Sequence, residues 1–62
     1  MNWSENIKAL RIKLLITQEE LASMLGVSFV SVNRYENGHF EPTMKIKRKL
    51  MKLFKENGIV EE

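Results

Sequence analysis

Apolar residues return along this chain at three- and four-residue spacing, and no stretch alternates as a half-buried strand does. Trp3, Ile7, Leu10 and Leu14 form one stripe, which predicts a helix from about Asn2 or Ser4 to Leu14. Asn2 with Glu5 resembles a capping box, and Ser4 is a second candidate cap. The next apolar positions, Leu21, Ala22 and Leu25, follow Thr17-Gln18-Glu19-Glu20. The Thr17 hydroxyl can accept from the Glu20 amide, and the Glu20 carboxylate can accept from the Thr17 amide. Ile16 and Leu21 stand where a hydrophobic staple needs them, and Gly26 ends the helix where a left-handed residue costs least.

A third helix is capped by Ser28 and stops at Gly38, with Val27 and Val32 as its staple. Only Val27 separates Gly26 from the Ser28 cap, so the second and third helices are joined by a very tight turn. Two short helices with a glycine in such a turn predict a helix-turn-helix, and the small Ala22 permits their close approach. The fourth helix follows Pro42, with Thr43 as cap or first residue, and runs to Asn57-Gly58. Met44, Ile46, Leu50, Met51, Leu53 and Phe54 give it an apolar side. The last residues, Ile59 to Glu62, are too few to assign. The fold expected is all-α, a compact bundle of four to five helices.

At about 100° per residue, Val32, Tyr35 and Glu36 of the third helix fall together. Val30, Asn33 and Arg34 fall opposite, with Phe29 and Ser31 on the flanks. If Val32 and Tyr35 are core, the opposite face is outside. The reverse orientation would bury the Arg34 guanidinium, at several kcal/mol. An aliphatic, an amide and a guanidinium side by side suit the DNA major groove, which is about 12 Å wide and admits a helix. Arg can bond guanine O6 and N7, Asn can bond adenine N6 and N7, and Val or Phe can pack on a thymine methyl. The bland alternatives are an ordinary surface arginine and amide, and a Phe29 leaning on Met24 or on a second subunit. Trp3 reads as a lid on the core, Met24, Met44 and Met51 as gap-fillers, and His39 as a solvated loop residue.

At 62 residues the chain is one domain, residues 1–62, whose unfolded surface is only partly buried on folding. It has no Cys, so neither a disulfide nor a thiolate metal site supports the core, and one His does not make a zinc site. No apolar run spans a membrane, no secretory leader is visible, and the absence of Cys fits the cytoplasm. The net charge is only +2, but residues 42 to 55 hold six cations (Lys45, Lys47, Arg48, Lys49, Lys52, Lys55) and no anion. That asymmetry suits a polyanionic partner, or simply a solvated helix face. With no Cys, no Asp and no Gly-rich phosphate loop, the parts of an enzyme are missing.

The segment Leu10 to Gly38, LRIKLLITQEELASMLGVSFVSVNRYENG, resembles the Cro/XRE-type helix-turn-helix family of phage repressors and small bacterial regulators. The matching residues are Arg11, the run Thr17 to Ala22, Leu25-Gly26-Val27-Ser28, and Glu36-Asn37-Gly38 followed by Pro42. The resemblance implies base reading by Phe29, Val30, Asn33 and Arg34. It implies phosphate contacts by Gln18, Ser28, Ser31, Asn37 and His39, and a structural ion pair between Arg11 and Glu36. No cofactor and no metal are expected. Leu15 stands where the family often has Gly, and the unbroken Thr43–Asn57 segment departs from the family's usual break.

The function this points to is sequence-specific double-stranded DNA binding by a transcriptional regulator, as a repressor and homodimer on a palindromic operator. No small-molecule effector is evident. The rival is a protein-interaction or antitoxin module of the same fold with little DNA binding of its own.

Overall fold

The computed structural model describes residues 2–59 and holds four helices among them. The Asn2 side chain accepts from the Glu5 amide at 3.1 Å and starts α1, Trp3–Leu14. Ser4 is not a cap, because its hydroxyl donates instead to the Glu36 carbonyl at 2.7 Å, across the molecule. Thr17 and Glu20 form both halves of the capping box that opens α2, Gln18–Leu25. Ser28 caps α3, Phe29–Glu36, by accepting from the Ser31 amide at 3.1 Å. Helix α4 spans Met44–Glu56, and its N-cap Thr43 makes no side-chain capping bond. The molecule thus has the lower helix number of the sequence expectation, and α4 is unbroken. Residues 60–62, the end of the unassigned tail, lie outside the described residues.

One core joins all four helices. Ile7 and Leu10 enter it from α1, Leu21, Ala22 and Leu25 from α2, Val32 and Tyr35 from α3, and Ile46, Leu50 and Phe54 from α4. Each large aliphatic member contributes about 1.5–3 kcal/mol by leaving water. Helix α3 packs on α1 and α2, and so does α4. Trp3 closes one end of the core with its ring tilted 35° against Phe54, centroids 6.0 Å apart. Gly26 takes φ 74° at the end of α2, so the chain reverses without a Cβ in the left-handed region.

Met24, Met44 and Met51 read as gap-fillers, but they are 48%, 68% and 46% exposed. In α4 the inward stripe runs through Ile46, Leu50 and Phe54. Met44 lies about 200° from Ile46 and Met51 about 100° from Leu50, so both are turned away. Leu15, which stands where the family often has Gly, is the only non-glycine with positive φ among the described residues, at φ 57°. It ends α1 as a left-handed cap and its side chain is 90% exposed, so it gains no burial in return.

Candidate nucleic-acid interface

The face of α3 turned away from the core is set by three anchors on its other side. Val32 is sealed, and Tyr35 and Glu36 are 4% exposed. Burial pushes the Tyr35 phenol up, beyond the opposing effect of a hydrogen bond with Ser31. With these residues inside, Phe29 and Val30 are about half exposed, Arg34 is exposed, and Ser31 and Asn33 are partly covered. Burying the opposite face instead would put a guanidinium in the core, which the fold avoids.

The third anchor is a charge. Arg11 on α1 clasps the Glu36 carboxylate with two bonds, Nε to Oε2 at 2.7 Å and Nη2 to Oε1 at 3.0 Å. Burial pushes the Glu36 carboxyl up, but hydrogen bonds from Arg11 and Gln18 and the charges of Arg11 and Lys8 outweigh it. The group is held below the usual carboxylate range. The hydrogen bond to Glu36 raises the Arg11 pKa in turn, against the opposing pull of burial. Arg11 also donates to the Ile16 carbonyl at 3.4 Å, so one side chain ties α1, the first turn and α3 together.

From Glu36 a row of amides leads outward. Gln18 Nε2 donates to Glu36 Oε1 at 3.2 Å. Asn33 Nδ2 donates to Gln18 Oε1 at 3.2 Å, and Asn37 Nδ2 donates to Asn33 Oδ1 at 3.1 Å. Gln18, Asn33 and Asn37 therefore lie together at the seam of α2 and α3. Ser28 and Ser31 lie one turn away, their hydroxyls 3.1 Å apart. Ser28, Asn37 and His39 are exposed.

Two contributors carry no signal in the sequence pattern. Phe40, in the loop after α3, meets Tyr35 edge-on with centroids 5.3 Å apart, and the Arg34 guanidinium stands 5.9 Å over its ring. Loop residues have no periodicity to betray such a contact; the only hint is an aromatic placed shortly after the Asn37-Gly38 stop. Lys49 of α4 donates to the Leu25 carbonyl at 3.1 Å and so satisfies the end of α2. Lys47 is bound to Glu41 at 2.7 Å and lies 5.2 Å over the Trp3 ring. Among the described residues, these two of the six cations in residues 42 to 55 have partners. Lys45, Arg48, Lys52 and Lys55 are exposed. Among the described residues no helix is long and apolar enough to cross a membrane.

Comparison with known proteins agrees with this architecture. A helix-turn-helix family model matches residues 7–58. An uncharacterized HTH-type transcriptional regulator of Archaeoglobus fulgidus is 38% identical over 48 residues, covering 77% of this chain and 68% of the relative. No solved structure gives a significant match. With its tight α2–α3 turn and its matched span from Ile7 to Gly58, the chain belongs to the Cro/XRE-type helix-turn-helix family.

Proposed function

We propose that this chain is a sequence-specific regulator of transcription that binds double-stranded DNA with α3 in the major groove. The observation that carries the reading is the orientation of α3: Val32, Tyr35 and Glu36 inside, Val30 and Arg34 out. Phe29, Val30, Asn33 and Arg34 read bases, and Gln18, Ser28, Ser31, Asn37 and His39 meet phosphates. Arg–guanine, Asn–adenine and apolar–thymine-methyl pairings are the chemistry available to that face. Membership of the helix-turn-helix family supports a DNA partner, and the Archaeoglobus fulgidus relative carries the name of a transcriptional regulator.

The protein acts as a homodimer on a palindromic operator and represses by occupying a promoter. One short helix reads only a few base pairs, and a second copy about one duplex turn away, about 34 Å, doubles the reading. The body measures 26 × 22 × 19 Å across its Cα atoms, so two copies fit side by side on successive turns.

Polarisation titrations with random duplex over a salt series test the reading, together with selection of bound duplexes from a random pool. Binding that weakens steeply between about 50 and 200 mM salt is expected, with a two-fold symmetric motif in the selected pool. A protein that binds no duplex at low salt would refute it. A selected motif without symmetry would remove the dimer.

A further inference from the structure

The amide row from Glu36 to Asn37 has a direction, and the direction is imposed at its buried end. The terminal amides of Asn and Gln are nearly symmetric in shape, so an isolated pair on a surface has two ways to face each other. Here that symmetry is broken. An ionised carboxylate only accepts hydrogen bonds, and Glu36, buried and clasped by Arg11, offers only acceptors to Gln18. Gln18 must therefore turn its Nε2 inward, 3.2 Å from Glu36 Oε1, and its Oε1 outward. An outward Oε1 selects the Nδ2 end of Asn33, at 3.2 Å. The Oδ1 of Asn33 is then left facing Asn37, whose Nδ2 donates to it at 3.1 Å.

Two bonds thus hold the Asn33 amide in one of its two orientations, and its hydrogen-bonding capacity is not exhausted. An amide nitrogen carries two N–H groups and an amide oxygen two lone pairs. One of each is used in the row, and one of each remains. An amide meets adenine N7 and N6–H together with one N–H and one lone pair.

We propose that Gln18 is a positioning residue that passes the fixed polarity of the Arg11–Glu36 pair to the Asn33 amide and so sets which base edge Asn33 accepts. This role is separate from any phosphate contact of Gln18, and it rests on the reading of α3 as the base-reading helix. Phosphate contacts position a protein without carrying sequence information, whereas base contacts carry it. A loss of phosphate contact therefore weakens all duplexes by one factor, and a loss of Asn33 orientation changes the preference at one base position.

The test compares wild type with Asn33→Ala, Gln18→Met and Asn37→Ala. Met keeps the unbranched length of Gln and removes both bonds. Selection from a random duplex pool with Asn33→Ala locates the position that Asn33 reads. Gln18→Met is expected to relax discrimination at that same position about tenfold, whatever it does to overall affinity. Asn37→Ala cuts only the outer bond and is expected to relax the same position less; Gln18→Ala, which also removes both Gln18 bonds, stands in for Gln18→Met if that variant does not fold. In the free protein, NMR relaxation of the Asn33 side-chain amide is expected to report a rigid group in wild type and a mobile one in Gln18→Met. The proposal is overturned if Asn33→Ala relaxes a position that Gln18→Met leaves intact, or if the Asn33 amide is equally mobile in both proteins. If Asn33→Ala relaxes no position, the base-reading role of Asn33 itself fails and the proposal falls with it.

Discussion

The guanidinium of Arg34 lies 5.9 Å over the ring of Phe40, and that ring is held edge-on by the buried Tyr35. A core residue thus steadies a loop residue, which steadies an exposed cation on the outer face of α3. An exposed cation–π contact contributes about 0.5–1 kcal/mol, enough to bias where a long side chain rests. Arg34→Ala is expected to relax preference at one base position by about 1–3 kcal/mol. Phe40→Ala is expected to relax the same position by less, about 0.5–1 kcal/mol. Competition titrations with single-base operator variants check both. Uniform weakening across all variants would place Arg34 on phosphate instead.

The pair of Arg11 and Glu36 is unequal, and the inequality has a measurable result. The Arg11 side chain keeps 22% of its exposure and Glu36 only 2%. Removing Arg11 leaves a buried carboxylate without its cation, so Arg11→Met is expected to cost about 3–5 kcal/mol. Glu36→Gln leaves a guanidinium that still reaches water, and is expected to cost less, about 1–3 kcal/mol. Urea titrations of the two variants give the comparison. Equal costs would show that water does not relieve Arg11.

The same pair makes stability depend on pH on the acid side. The Glu36 pKa is lower in the folded chain than the unfolded value of about 4.3. The unfolded chain therefore takes up this proton first as the pH falls. The Glu36 contribution is complete above the unfolded value and drains away as the pH drops through the folded one. Wild type is expected to lose stability from about pH 5 downward, and Glu36→Gln to lose less over the same window. Urea midpoints measured at successive pH values decide it. Parallel curves would mean that another carboxylate governs the acid limb.

Much of this architecture was open to inspection in the chain, because helix caps are local chemistry. Thr17 with Glu20, and Ser28, satisfy backbone amides three residues on, so no tertiary information is needed to find them. The same holds for the α3 anchors Val32, Tyr35 and Glu36, which follow from the 100° rotation per residue. Asn2 also satisfies an amide three residues on, but Ser4 is set aside as its rival only by a bond to the Glu36 carbonyl across the molecule. The row Gln18–Asn33–Asn37 is different. It depends on how closely α2 and α3 approach, a distance no spacing rule supplies. In α4 apolar residues occupy more than one face, so periodicity alone did not separate the buried Ile46, Leu50 and Phe54 from the exposed Met44 and Met51.

Leu15 invites a stabilising change. Its backbone is left-handed at φ 57°, where Cβ crowds the following carbonyl oxygen. The side chain is 90% exposed, so nothing is lost from the core when it is removed. The greater freedom of glycine in the unfolded chain offsets part of the gain. Leu15→Gly is expected to stabilise the domain by about 1 kcal/mol, or roughly 4–8 °C in melting temperature for a chain of this size. Thermal unfolding followed by circular dichroism checks it. A lower melting temperature would mean that Leu15 packs on something in solution.

The lysines of α4 divide by what they touch. Lys49 reaches the Leu25 carbonyl at 3.1 Å, at the negative end of α2. Lys52 is exposed, and no hydrogen bond or ion pair to it is seen among the described residues. A cation at a helix C-terminus contributes about 0.3–1 kcal/mol, whereas an isolated surface charge changes stability by less than about 0.5 kcal/mol. Lys49→Met is therefore expected to lower the melting temperature by a few degrees, at about 4–8 °C per kcal/mol, and Lys52→Met to leave it in place. The two variants remove the same charge from the same helix, so net charge and helix propensity cancel in the comparison. A matched loss in both would assign the effect to overall charge and leave the Lys49 contact with no energetic role.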